Sequence, residues 1–368
     1  MRSTTTFLVS TAALVVLLCS FPAFGQDAAS QIRSDIQVLQ QLLKDNPAAP
    51  DSDFASLNSS IEQSLAAASY AVNHDQLYLA LEKVGEATEL LGGLRTAKNN
   101  ADVLKNGLPA FESEWGKASL QLTAMDQEAR QRQWKGNPAA LRALAEAAQG
   151  RAIPLLDGGR GFATSTKPQD GLFYVGQAKG EADFAKFCAS LNLSTELAPL
   201  PLRSFLPELQ ALQRKTNDAF HPPRSIDSHP RFIALNSTLK LAQELDSSRL
   251  YAGALYEYLE AVRHFGMLDA AVPDPQRRIQ LTTQITEREQ ALAASKIDES
   301  IAQLFLQRAH SHIKHADGSA PSDDEWKSAG VILDHVLPAY FAAQKPAAPL
   351  PAGDARTVDL TLVRWPYT

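Results

Sequence analysis

The densest group of chemically capable side chains in this sequence is His310, His312 and His315. Imidazole nitrogens are good ligands for zinc, copper or nickel. On a helix, His312 and His315 share a face, while His310 lies two residues from His312 and points elsewhere. A transition-metal site here therefore needs a further ligand, His310 itself or Asp317. The competing expectation is an ordinary helix end. The cluster precedes Asp317-Gly318, where partly protonated imidazoles are favoured by the helix dipole. His264 stands near another helix end, and His221 and His229 lie in a proline-rich stretch. The sequence contains neither an H-E-x-x-H pair nor a C-x-x-C-H haem attachment.

Other candidates are weaker. Ser237 and Lys240 have S-x-x-K spacing, which on a helix sets a hydroxyl beside an amine. Ser311 and Lys314 have it too, and the S-D-N and K-T-G motifs that would complete such a site are missing. Gly158-Gly159-Arg160-Gly161 lacks the lysine and hydroxyl of a phosphate loop and reads as a flexible connection. Cys188 shares a helical face with Phe184, Phe187 and Leu191, as a small buried hydrophobe would. The acidic groups at Glu112 and Glu114, at Asp323 to Glu325, and at Asp269 with Asp274 lack calcium-loop spacing and fit capping and solvation. No catalytic constellation emerges, and no cofactor is expected beyond a transition metal at the histidines.

The elements that must carry these residues are helices. The 368-residue chain has 45% apolar and 21% charged residues and a formal net charge of -6. Such a composition supplies a buried core and excludes disorder throughout. It also lacks the basic footprint of a nucleic-acid binder. Residues 1–25 have the form of a signal peptide: Met1-Arg2, an apolar run from Phe7 to Cys19, and Ala23-Phe24-Gly25 as a small-x-small cleavage site. Export to the periplasm or the medium is expected, with no membrane span after cleavage. A helical region at 26–156 follows, then a Gly/Thr-rich loop or boundary at 157–170, and a second helical region at 171–345. An Ala/Pro-rich linker at 346–357 leads to a short β-strand at 358–368, where Val358, Leu360 and Leu362 alternate with Asp359 and Thr361.

Within the helical regions, apolar stripes recur at helical spacing. Ile32, Ile36, Leu39, Leu42 and Leu43 form one; Leu77, Leu81, Val84 and Leu91 form another, read as closed by Gly92-Gly93. A helix over 101–132 is expected to kink or restart at Pro109. Asn137-Pro138 and Asp274-Pro275 read as a cap followed by proline at the first helical position. Ser322 to Glu325 reads as a capping box, opening a helix that Pro338 should kink.

Two of these helix pairs share a spacing. Ala68, Ala80, Val84 and Ala87 are separated by 12, 4 and 3 positions, and so are Ala242, Ala254, Tyr258 and Ala261. These stretches, at about 64–92 and 238–266, resemble tetratricopeptide hairpins, in which small residues let two antiparallel helices approach closely. The resemblance is partial: the closing proline is glycine in both, Gly92 and Gly266, and the pattern does not continue. It implies a groove that holds a peptide or protein. The expected fold is all-α, a helical-hairpin array or bundle with a short C-terminal β-strand. The expected function is an exported binding or scaffold protein. The alternative is a metal-binding protein or metalloenzyme built on His310, His312 and His315.

Overall fold

The computed structural model describes residues 28–99, 108–134, 136–164, 168–219, 229–315 and 318–345. The signal peptide, the linker at 346–357, the strand at 358–368, His221 and Asp317 lie outside the described residues.

All the regular elements described are helical. The first half of the chain forms α1 (Ala28–Asp45), α2 (Ala55–Asn73), α3 (Leu77–Asn99), α4 (Leu108–Gln131), α5 (Ala139–Ala163) and α6 (Pro168–Ser190). The second half forms α7 (Leu206–Ala219), α8 (His229–Ser247), α9 (Tyr251–Gly266), α10 (Pro275–Ala293), α11 (Ser300–Ile313), α12 (Asp323–Val331) and α13 (Leu337–Ala343). A π-helical turn at Ile332–Val336 joins the last two. Among the described residues the only β pairing is a parallel bridge between Ala198 and Ile297. No described helix is long and apolar enough to cross a membrane.

The stripes explain the packing. Ile32, Ile36, Leu39 and Leu43 bury one face of α1. The small residues of both hairpin patterns are buried: Ala68 in α2 with Ala80 and Ala87 in α3, and Ala242 in α8 with Ala254 and Ala261 in α9. At the centre lie α5 and α9, buried nearly all round. From Ala252 to Ala261 every residue of α9 is buried, including Glu257 and Glu260. Carboxylates in that position require partners, because a lone buried charge is very costly.

Several expectations are corrected. Gly92-Gly93 does not end α3, which continues to Asn99. A Cβ on Gly92 would lie 2.6 Å from the carbonyl oxygen of Gly176, so glycine here lets the backbones of α3 and α6 touch. Likewise Gly158 to Gly161 are not a loop: α5 runs through them to Ala163, and Gly159 faces Gly171 of α6. No helix breaks at this expected boundary before Ala163, and α5 and α6 pack side by side. Pro138, expected as the first helical residue, is the N-cap, and the cap comes from elsewhere. Asp298 accepts from the Ala139 amide at 2.5 Å and Ser300 accepts from the Ala140 amide at 2.8 Å. Asn137 instead donates to the Leu193 carbonyl.

Other local signals hold. Asp274 accepts from the Arg277 amide at the start of α10, and Ser322 and Glu325 form the capping box of α12. The π turn immediately precedes Pro338, whose missing N–H interrupts the α-helical ladder.

Candidate functional site

The side chains most demanding of explanation are charged ones in helix interiors. Glu82, Glu86 and Glu89 are spaced by about one turn on α3, as are Glu257, Glu260 and Arg263 on α9. Arg308 and His312 repeat the spacing on α11, Arg151 projects from α5, and Glu181 from α6. These faces converge on a cavity of about 410 Å³, to which α8 adds Thr238.

Arg308 is the hub. Its guanidinium donates to both carboxylate oxygens of Glu82 and to Glu260, and to the Tyr256 hydroxyl at 3.1 Å. Tyr256 passes its own proton donor to Glu82 at 2.8 Å. Arg263 donates to the other oxygen of Glu260 at 2.9 Å. A second knot lies beside it. Arg151 donates to both oxygens of Glu181, at 2.5 and 3.1 Å, and to Glu257 at 2.9 Å. Lys83 closes a local pair with Glu86 at 2.7 Å. Glu89 differs: its Oε1 accepts from Gln177 at 2.7 Å, and among the described residues no cation forms an ion pair with it.

The electrostatics follow from these partners. Burial pushes the Glu82 and Glu260 carboxyls up, but Arg308 outweighs it, and both titrate below the usual carboxylate range. Burial raises Glu89 to about 7, with Glu181 adding to it and Arg151 opposing. Burial also takes Glu257 to about 7, against the pull of Arg151. His264 and His312 are lowered to about 4, first by burial and then by Arg263 and Arg308 respectively. Both imidazoles are therefore neutral at neutral pH.

A second cavity of about 640 Å³ adjoins the first on the α2 side. The two share Lys83, Glu86, Ser311 and His312 in their walls. Ser60, Gln63, Ser64 and Tyr70 of α2 give the outer part a neutral, hydroxyl-rich lining. His315 and Glu325 close its far side, paired at 2.8 Å.

The three histidines expected as a metal set face three different partners. His310 contacts Glu289 at 3.1 Å, His315 contacts Ser319 at 2.7 Å as well as Glu325, and His312 stands in the cleft wall. Among the described residues, no group of three or more His, Cys, Asp or Glu side chains is arranged to hold a metal ion. Ser237 and Lys240 are exposed on α8. Ser311 bonds back to the Arg308 carbonyl at 2.8 Å. Cys188 is buried, and burial pushes its thiol up. Of the three expected histidines, only His312 lines the deep cavity; His315 lines the outer one, and Ser311 and His264 also stand in the walls. The glutamates and arginines were not read from the sequence as a site. The signal for them was charge repeating every turn beside the apolar stripe, as in Glu82, Glu86 and Glu89 next to Leu81 and Val84.

No known family model matches the chain, and neither a curated protein nor a solved structure similar to it was found. The cleft therefore has to be interpreted from its own chemistry.

Proposed function

We propose that the protein is an exported binding protein whose ligand site is this cleft. One observation carries the reading: a cavity of about 410 Å³ is walled by charged side chains from five helices, most of them paired with one another. Well-packed apolar residues would serve stability as well or better, since desolvating ion pairs offsets most of their attraction. Filling the cavity would add further stability. Five helices instead hold charges in fixed positions around open space, which suits recognition of a small polar molecule. The N-terminal signal pattern supports action outside the cytoplasm, and the groove agrees with the hairpin resemblance in general position only. It is lined for a small solute more than for a broad protein surface.

A thermal-shift panel of small polar metabolites on the chain beginning at Gln26 tests this. At least one class should raise the melting temperature saturably, as mass action requires. Arg151→Gln, which leaves Glu181 and Glu257 in the wall without their guanidinium, should change the size of that rise. A panel of cations, anions and polyols that leaves the melting temperature unmoved would sink the reading. N-terminal sequencing of the exported chain tests the compartment, with Gln26 as the expected first residue.

A further inference from the structure

Resting on the cleft as a ligand site, we propose that its ligand is a small organic cation: a primary ammonium or guanidinium group on a neutral polar body, met by Glu89.

The charge inventory comes first. The deep cavity is lined by the carboxylates of Glu82, Glu86, Glu89, Glu181, Glu257 and Glu260. Its cations are Lys83, Arg151, Arg263 and Arg308, two fewer, and its histidines are neutral. Each of the four cations already holds a carboxylate of the protein, and Arg151 and Arg308 hold two each. An anionic ligand would have to share a cation that already holds a carboxylate, beside two carboxylates in excess. A cationic ligand displaces nothing. Glu89 Oε2 has no hydrogen-bond partner among the described residues, and Oε1 holds only the Gln177 amide. A charge-assisted hydrogen bond from an ammonium or guanidinium fits that vacancy.

The rest of the cleft defines the remainder of the molecule. His312 makes no hydrogen bond among the described residues and stands where the two cavities meet. Its neutral ring offers one donor and one acceptor. Beyond it, the hydroxyls and amide of Ser60, Gln63 and Ser64 suit a neutral polar body. A bare metal ion is disfavoured, because Arg151 and Arg308 stand in the same cavity and no ligand set for a metal is formed among the described residues.

Binding should also move a proton. Glu89 faces Glu86 on its own helix, Gln177 and Glu181 from α6, and Arg151 from α5. Burial and these like charges leave it partly protonated at neutral pH, and an arriving cation would expel that proton.

Calorimetry at pH 7 tests this with putrescine and arginine amide as cations, succinate as anion and xylitol as neutral polyol. At least one cation should bind, with proton release seen as a dependence of the heat on buffer ionisation enthalpy. Glu89→Gln retains the Gln177 contact. It should weaken binding about tenfold or more and abolish proton release. If that variant melts out, Glu86→Gln provides a second reading of the same wall, and proton release is still measured on the unaltered chain. Binding of succinate or xylitol in place of the amines would overturn the cation while leaving the cleft as a ligand site. Failure of all four probes would remove both.

Discussion

Arg308 shows how a buried charge is tolerated in this molecule. Its side chain is only 11% exposed, yet two carboxylates, a phenol and the Phe305 ring surround the guanidinium. Asp35 is the contrasting case. It stands half-buried on α1 between Ile32 and Ile36, with no hydrogen-bond or ion-pair partner among the described residues. Burial raises its carboxyl from 3.8 to about 6. Because the folded value exceeds the unfolded one, its contribution to stability is complete below pH 3.8 and is lost as pH rises through about 6. At pH 8 the ionised group opposes folding. Asp35→Asn should therefore raise the melting temperature at pH 8, by about 2 °C for a screened effect of roughly 1 kcal/mol. The difference should vanish near pH 4. Melting followed by circular dichroism at both pH values checks this, and an equal gain at both would show that the effect is not ionisation.

At the scale of elements, the glycines separate what a sequence declares from what packing decides. Gly92-Gly93 and Gly158 to Gly161 read as punctuation because glycine weakens helices by about 1 kcal/mol relative to alanine. The structure places both groups inside helices, since close approach of α3, α5 and α6 outweighs that penalty. Nothing local distinguishes a capping glycine from a contact glycine; the deciding contact lies in another helix, that of Gly176 for Gly92 and that of Gly171 for Gly159. By contrast, Asp274, Ser322 and Pro338 act within one turn of their own position, and their signals were legible. The two kinds of glycine should respond oppositely to alanine. A Cβ at Gly176 would clash with the Gly92 carbonyl oxygen, whereas at Gly161 it meets nothing within 4 Å. Gly176→Ala should destabilise by about 3 kcal/mol or more, since helices must separate. Gly161→Ala should be neutral or stabilise by up to about 1 kcal/mol. Urea titrations measure both, and a mild effect at Gly176 would show that α3 and α6 are less tightly apposed.

At the scale of the whole molecule, the fold class was legible and the site was not. Apolar periodicity is a short-range property, so the stripes of α1, α3 and α9 announce helices directly. The cleft depends on pairs such as Glu82 with Arg308, 226 positions apart, and in sequence each of those charges resembles a solvated helix face. The same long-range closure has a thermodynamic consequence. One apolar core runs from Ile32 in α1 to Ala343 in α13. Across the expected boundary at 157–170, α5 continues as helix, and its first two amides are capped by Asp298 and Ser300 from the entry to α11. The Leu79 amide is bound in turn by Gln307 of α11. A second, smaller core beneath α4 shares α5 and α6 with the first, through Ala152, Leu156 and Leu172. The two halves therefore share their apolar core, and α5 takes its N-terminal cap from the second half. Scanning calorimetry should show one transition whose van't Hoff and calorimetric enthalpies agree, despite a length at which separate domains are common. Two resolved peaks would mean that 26–156 and 171–345 fold independently and that the contacts through α5, α9 and α11 add little. In that case Arg308→Met, which removes the ion-pair partner of Glu82 and one of the two guanidinium partners of Glu260, would shift one peak without the other; with a single core it should lower the whole transition.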